Sequence, residues 1–87
     1  MIHRAQQDKK FVILNDQHEP LASATLISQQ GQDRIFELTS TPMCNLQELP
    51  AINVLSINSP EFMAWRGRVQ GLREDRLYFR ADERIDS

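Results

Sequence analysis

Three kinds of residue in this chain could carry chemistry: two histidines, one cysteine and a group of arginines near the C-terminus. His3 and His18 do not stand at metal-ligand spacing, and a single cysteine excludes an internal disulfide or a cysteine-based metal cluster. Cys44 has no basic neighbour in sequence, so we predict a partly buried, unreactive thiol. Three glycines are too few for a glycine-rich phosphate loop. We therefore expect no enzyme activity, no catalytic residue, no metal site and no resident cofactor.

The arginines are the stronger chemical signal. Residues 66–87 contain six arginines and no lysine, with five acidic residues among them. A guanidinium group binds carboxylates and phosphates through two parallel hydrogen bonds, so an arginine cluster could bind an anionic partner. The alternative is a solvated face whose charges are paired. The residues that we predict to form a partner surface are Arg66, Arg68, Arg80 and Arg84.

Composition limits the class of protein. At 87 residues the chain is expected to form one domain over residues 1–87, and its net charge of −2 makes nonspecific nucleic-acid binding unexpected. No apolar run approaches the roughly 18 residues of a membrane helix, and the N-terminal "MIHRAQQDKK" lacks the apolar segment of a signal peptide. We predict a cytoplasmic protein without membrane insertion that binds another protein or a second copy of itself.

The elements that must position these side chains are short strands. Apolar runs separated by turn residues predict six strands, at 11–16, 20–28, 34–40, 52–59, 63–71 and 76–80. Pro42 and Pro50 bound a connector that we expect to hold one short helical turn within 43–49. The polar tail from Ala81 is expected to fray. The pattern predicts an all-β fold, a small six-stranded antiparallel barrel.

An internal repeat supports the barrel. The stretch "DRIFEL" at 33–38 resembles "DRLYFR" at 75–80, and a gap-free shift of 42 residues also sets Val12 on Val54. The two halves would span about 11–40 and 52–82. Neither three-stranded half can bury its apolar face alone, so we predict that the halves pack together about a pseudo-two-fold axis.

The fifth strand shows where the halves differ. Alternation along it predicts that Trp65 faces the interior and that Arg66 and Arg68 face outward. The same shift of 42 residues places Ala24 and Leu26 at the positions of those arginines. We infer that the second half carries charge on a face that the first half keeps apolar, and that function resides there.

The stretch "ATLISQQG" at 24–31 resembles the PilZ family, six-stranded β-barrel domains of which many bind cyclic di-GMP in bacteria. The family carries a (D/N)-x-S-x-x-G motif, and Ser28 and Gly31 match its serine and glycine. Leu26 stands where the family has Asp or Asn. "WRGRV" at 65–69 also resembles a later strand of the family.

The family's second motif, R-x-x-x-R near the domain N-terminus, is only partly present. Arg4 matches its first arginine, Asp8 occupies the position of the second, and Lys9 and Lys10 follow. A complete R-x-x-x-R occurs in "RADER" at 80–84, where the chain resembles the companion barrel that precedes PilZ in flagellar-brake-type proteins. The resemblance implies a ligand site whose candidate residues are Arg4, Lys9, Lys10, Ser28 and Gly31.

Three hypotheses follow, and an enzyme ranks below all of them. The first is a non-catalytic, PilZ-like regulatory or adaptor module that acts through protein contacts in bacterial signalling or motility. The second is a weak receptor for cyclic di-GMP. The third is a self-assembling structural barrel of the Sm-like or SH3-like kind, whose edge strands pair between subunits.

Overall fold

The computed structural model describes residues 9–57 and 62–85 of the chain. Their six strands form one antiparallel sheet that closes into a barrel in the order β1-β2-β3-β6-β5-β4, so the predicted fold class is confirmed. The strands are β1 (Lys10–Leu14), β2 (Pro20–Gln30), β3 (Asp33–Leu38), β4 (Ile52–Ile57), β5 (Ala64–Arg73) and β6 (Arg76–Arg84). One 3-10 turn, Leu46–Glu48, lies in the connector and confirms the predicted helical turn.

Tight turns connect the strands of each hairpin. Gly31 and Glu74 have positive φ angles, 57° and 54°, in the two-residue turns of the β2–β3 and β5–β6 hairpins. A positive φ suits glycine and is strained for a residue with a Cβ, so Glu74 occupies its turn at some cost. His18 also has a positive φ and lies exposed in the β1–β2 turn.

The C-terminal tail does not fray where the sequence predicted. Strand β6 continues to Arg84, and Ala81 within it is buried. The Ala81 amide donates to the Gln32 carbonyl at 2.8 Å, and the Ile85 amide donates to the Ala64 carbonyl at 3.0 Å. The polar composition of the tail concealed this continuation of β6 because, among its described residues 81–85, Ala81 alone is buried.

Aromatic side chains fill the barrel. Phe11 contacts Phe36 with ring centroids 5.3 Å apart and stacks on Trp65 at 5.5 Å, while Phe36 meets Phe79 at 6.0 Å. The three phenylalanines are at most 1% exposed. Edge-to-face and offset-stacked pairs of this kind add roughly 0.5–1.5 kcal/mol each beyond the burial of their surface.

The two halves are related by a pseudo-two-fold arrangement, but not by a uniform shift of 42 residues. The equivalent pairs are those whose residues are buried in the core: Phe11 pairs with Ala24 in the first half and Ile52 pairs with Gly67 in the second, so β4 follows β1 by 41 residues and β5 follows β2 by 43. The shift of 42 is wrong because it sets the half-buried Val12 on a fully buried residue of β4. A slip of one residue exchanges the two faces of a strand.

The corrected correspondence changes the comparison of the outer faces. Ala24 is buried in the core and corresponds to Gly67, not to an arginine. Under the shift of 43, the first-half residues that correspond to Arg66 and Arg68 are Ser23 and Thr25, which are polar. The inference that the first half keeps this face apolar is therefore wrong: the two halves differ in charge and not in polarity.

Candidate binding surface

Four exposed arginines lie on the outer face of the β5–β6 hairpin in two pairs. Arg68 is directly opposite Arg80, and Arg73 is directly opposite Arg76. Between these pairs Gly71 is opposite Tyr78, because a bulge at Gln70 restores the register of β5. We call this surface the arginine face and define it by Arg68, Gly71, Arg73, Arg76, Tyr78 and Arg80.

Few of these guanidinium groups are neutralised within the molecule. The Arg68 Nε donates to Asp82 at 3.2 Å, and the Arg80 Nη2 donates to the uncharged Gln32 side chain at 3.1 Å. The side chains of Arg73 and Arg76 form no hydrogen bond or ion pair with the other residues that the structure describes. Like charges directly opposite each other on a sheet destabilise it, so both pairs oppose folding.

A half-buried apolar strip crosses the sheet between the two arginine pairs. Tyr78 pairs with Ile35 of β3, and Ile35 pairs with Ser28 of β2. On the other side of Tyr78 the strip is open, because a Cβ built on Gly71 would meet only the Tyr78 ring, at 4.0 Å. The arginine face therefore combines two rows of cations with an apolar row and an open notch between them.

Strand β3 borders the arginine face with acids. Asp33 pairs with Arg80, and Glu37 pairs with Arg76 in the β3–β6 register. Both carboxylates are exposed. At this border the outward charges of β5 and β6 that form the arginine face are positive, and the outward charges of β3 are negative.

Arg68 and Arg80 are the two predicted surface residues that the structure brings together. Arg66 instead contacts Asp16 of the β1–β2 turn at 2.5 Å. Its hydrogen bond and charge hold the pKa of the Asp16 carboxyl below its usual value, and Asp16 in turn raises the pKa of Arg66. Arg84 lies at the end of β6, in register with Trp65.

Sequence reasoning did not select Arg73, Arg76 or Tyr78 for this surface. A usable signal was present in "REDR" at 73–76, because a two-residue turn at its centre places the flanking arginines opposite each other. The outward position of Tyr78 was not recognised because the shift of 42 residues aligned it with the buried Phe36 and so suggested a core position.

The candidate ligand residues are distributed along β1 and β2. Arg4 lies outside the described residues. Lys9 and Lys10 are exposed where β1 begins, and Lys10 pairs with Thr25. Ser28 is half-buried on β2, while Gly31 lies in the following turn, where its carbonyl accepts a hydrogen bond from Arg34 at 2.7 Å. Thr25 and Gly31 are separated by about 20 Å of extended chain, so the structure does not bring Lys10 and Gly31 together.

An arginine also closes one end of the barrel. Arg34 is 7% exposed, its guanidinium carbon lies 4.4 Å from the centre of the Trp65 ring, and its Nε has no hydrogen-bond partner. Desolvation lowers the pKa of Arg34, and the Asp33 charge opposes that shift. A shallow cleft of about 250 Å³ lies beside it, lined by Gln32, Arg34, Trp65, Ala81, Asp82, Glu83 and Arg84.

Other groups with catalytic potential are dispersed. His18 is exposed in its turn. Cys44 is exposed and not, as predicted, partly buried, because it lies in the irregular connector before the 3-10 turn, so that prediction is wrong. Over residues 9–57 and 62–85, no three His, Cys, Asp or Glu side chains are grouped so as to hold a metal ion. Within the same ranges no helix has the length and apolar character needed to cross a membrane.

Comparisons with protein-family models, with curated proteins and with solved structures find no match for this chain. The PilZ resemblance therefore stays a prediction, and functional inference depends on the geometry of the arginine face.

Proposed function

We propose that this chain is a non-catalytic binding module, a PilZ-like regulatory or adaptor domain that acts through protein contacts in bacterial signalling or motility. The arginine face is its partner surface. The observation that supports this is the pair of directly opposed arginines at each end of Tyr78. Such pairs lower the stability of a sheet, and a feature that opposes folding is expected where binding uses it.

Charge distribution favours a protein partner over nucleic acid. The chain carries a net charge of −2, and Asp33 and Glu37 border the arginine face. A nucleic acid presents phosphates continuously and would meet those carboxylates as well as the arginines. A protein can instead place a few acidic side chains against the arginines and neutral groups elsewhere.

One observation favours the receptor hypothesis as a second candidate. Ser28 lies in the same row of the outer surface as Ile35 and Tyr78, so a nucleotide on that row would lie close to the arginine face. Self-assembly through edge strands is less favoured. Each of the six described strands is hydrogen-bonded to a neighbour on both sides over part of its length, so the edge that remains for a second copy is short, such as residues 68–73 of β5, which pair with β6 alone.

The test compares two double variants that remove the same charge. Arg68→Gln with Arg80→Gln alters the arginine face, whereas Arg66→Gln with Arg84→Gln alters the two predicted residues that lie outside it. Immobilised protein is exposed to lysate of its source organism, and bound proteins are quantified by mass spectrometry. We expect the first variant to lose captured proteins that the second retains.

Calorimetry with cyclic di-GMP distinguishes the receptor hypothesis from the protein-binding module. Heat of binding that Ser28→Ala removes would support the receptor, whereas partners lost equally from both double variants would contradict the arginine face as the partner surface. Circular dichroism and melting curves establish that each variant is folded before either measurement.

A further inference from the structure

The outward side chains of the arginine face form three parallel rows with regular spacing. Along β6 these side chains are Arg76, Tyr78 and Arg80, two residues apart. Their partners on β5 are Arg73, Gly71 and Arg68 in the same order. Successive rows are separated by about 6.6 Å along the strand, so the two cationic rows lie about 13 Å apart with the apolar row midway.

We propose that this face binds an extended peptide segment that carries an acidic, an apolar and an acidic side chain at every second position. The inference rests on the proposed function and specifies the element of the partner that is recognised. An extended peptide laid along β6 presents alternate side chains at the same period of two residues. Its acids then reach the two arginine pairs when its apolar residue lies over Tyr78.

The pairing of β6 restricts a ligand laid along that strand to side-chain contacts. Over residues 76–80, β6 is hydrogen-bonded to β5 on one side and to β3 on the other, so this stretch offers no backbone groups to an added strand, whereas β5 beyond Gly67 pairs with β6 alone. Addition of a peptide strand to a sheet needs a free edge. For a ligand laid along β6, specificity therefore comes from the charge and shape of the side chains, which the rows supply.

Each cationic row matches a carboxylate better than a neutral group. Two guanidinium groups opposite each other can donate from both sides to one carboxylate, which also screens their repulsion. In the row of Arg73 and Arg76, neither side chain has another hydrogen-bond or ion-pair partner among the described residues. A ligand can therefore bind to that row without breaking a side-chain contact within the protein.

The apolar row has room for a side chain of the ligand. Gly71 leaves the flank of Tyr78 uncovered, and the nearest atom to a Cβ built there is the Tyr78 Cδ2 at 4.0 Å. A phenylalanine or leucine of the ligand can enter this notch and contact the tyrosine ring. The acids of β3, Asp33 and Glu37, lie beside β6 on the side away from β5, opposite Arg80 and Arg76, and favour a ligand seated towards β5.

The test uses a fluorescein-labelled peptide with the central order glutamate, serine, phenylalanine, serine, glutamate. A control peptide contains the same residues with the two glutamates adjacent. Fluorescence anisotropy at low salt is expected to show about tenfold weaker binding of the control peptide, because its acids cannot reach both rows at once.

Protein variants test each row of the face. Arg73→Gln with Arg76→Gln is expected to weaken binding of the matched peptide by about tenfold or more, and Arg66→Gln with Arg84→Gln by less than about twofold. Gly71→Thr fills the notch without changing charge and is expected to weaken the phenylalanine peptide more than one with alanine at that place. Melting curves confirm that all variants fold.

Each result distinguishes this inference from the proposed function. Equal affinity for the two peptides would overturn the inference, and the proposed function would stand if lysate partners were still lost with Arg68→Gln and Arg80→Gln. If the arginine-face variants still bound the matched peptide and still captured the lysate partners, both the inference and the proposed function would be overturned. A labelled oligouridine that binds more tightly than the matched peptide would overturn the peptide in favour of single-stranded RNA.

Discussion

The Arg34 guanidinium carbon lies 4.4 Å from the centre of the Trp65 ring, and Arg34, which is 7% exposed, closes the end of the barrel. Its Nη1 donates to the Gly31 carbonyl, while its Nε has no partner. The aliphatic stem and the planar head cover the tryptophan, which contributes packing, but the buried Nε opposes folding. Arg34 thus has a structural role in which the stabilisation from its packing on Trp65 nearly balances the free-energy cost of burying an Nε without a hydrogen-bond partner.

Substitution of Arg34 separates those two contributions. Arg34→Met keeps a long apolar cover on Trp65 and removes the unpaired donor, so we expect a free energy of unfolding within about 1 kcal/mol of wild type, or higher. Arg34→Ala exposes the ring and is expected to lower it by about 1–3 kcal/mol. Urea unfolding followed by tryptophan fluorescence measures both. A methionine variant as unstable as the alanine variant would show that the charge itself stabilises the fold.

Two glycines of β5 are expected to differ strongly in their tolerance of a methyl group. A Cβ at Gly67 would collide with the Arg80 carbonyl oxygen and lie 2.9 Å from the Ala81 Cα, whereas one at Gly71 would make an ordinary 4.0 Å contact with Tyr78. We expect Gly67→Ala to lower the free energy of unfolding by about 3 kcal/mol and Gly71→Ala to change it by less than about 1 kcal/mol. Thermal unfolding of the two variants checks the difference, and equal effects would contradict the assigned register of β5 on β6.

The barrel was predictable because its information is local. Apolar runs and turn residues located six strands, and the alternation around Trp65 assigned the faces of β5 correctly. The repeat was detectable, but its register was not, since the halves differ by 41 residues in one strand and 43 in the next. A gap-free comparison averages these two shifts and exchanges the two faces of a strand. The bulges that absorb the difference have no strong sequence signature.

The partner surface was only half predictable for a related reason. Sequence proximity grouped Arg66 with Arg68, yet Arg66 is tied to Asp16 of a distant turn, a contact that only the tertiary structure creates. Arg84 moved out of the group because β6 continues past the predicted end. Arg73 and Arg76 join it through the register of the β5–β6 hairpin. Pairing across strands, and not spacing along the chain, determines which charges meet.

The Asp16–Arg66 ion pair predicts a specific pH dependence of stability. The pKa of Asp16 is lower in the folded protein than its usual value because Arg66 stabilises the carboxylate. A depressed folded pKa stabilises the fold above the unfolded pKa, near 4, and this contribution disappears as the pH falls through the folded value. Asp16→Asn should therefore be less stable than wild type at pH 7, and the difference should shrink as the pH falls below about 4.

Urea unfolding of wild type and Asp16→Asn at pH 7, 4 and 2 measures that difference. Glu48→Gln serves as the control, because Glu48 is an exposed carboxylate for which the structure shows no ion pair among its described residues. A stability difference for Asp16→Asn that persisted at pH 2 would contradict the charge interaction and indicate a packing or hydrogen-bond effect of the aspartate.

The opposed arginines at the hairpin end predict a trade between stability and binding. Arg73→Glu places a carboxylate opposite Arg76, so repulsion becomes attraction, and we expect the free energy of unfolding to rise by about 0.2–1 kcal/mol. The same change removes one cationic row and should abolish binding of the matched acidic peptide. Arg73→Gln is the control for charge reversal and should give a smaller gain in stability.

In wild type, added salt screens the repulsion between Arg73 and Arg76, so the difference in free energy of unfolding between wild type and Arg73→Glu should shrink between low salt and about 0.5 M. A deficit that did not change with salt would mean that the two guanidinium groups do not repel each other across the hairpin, and the physical basis for the arginine face as a binding surface would be lost.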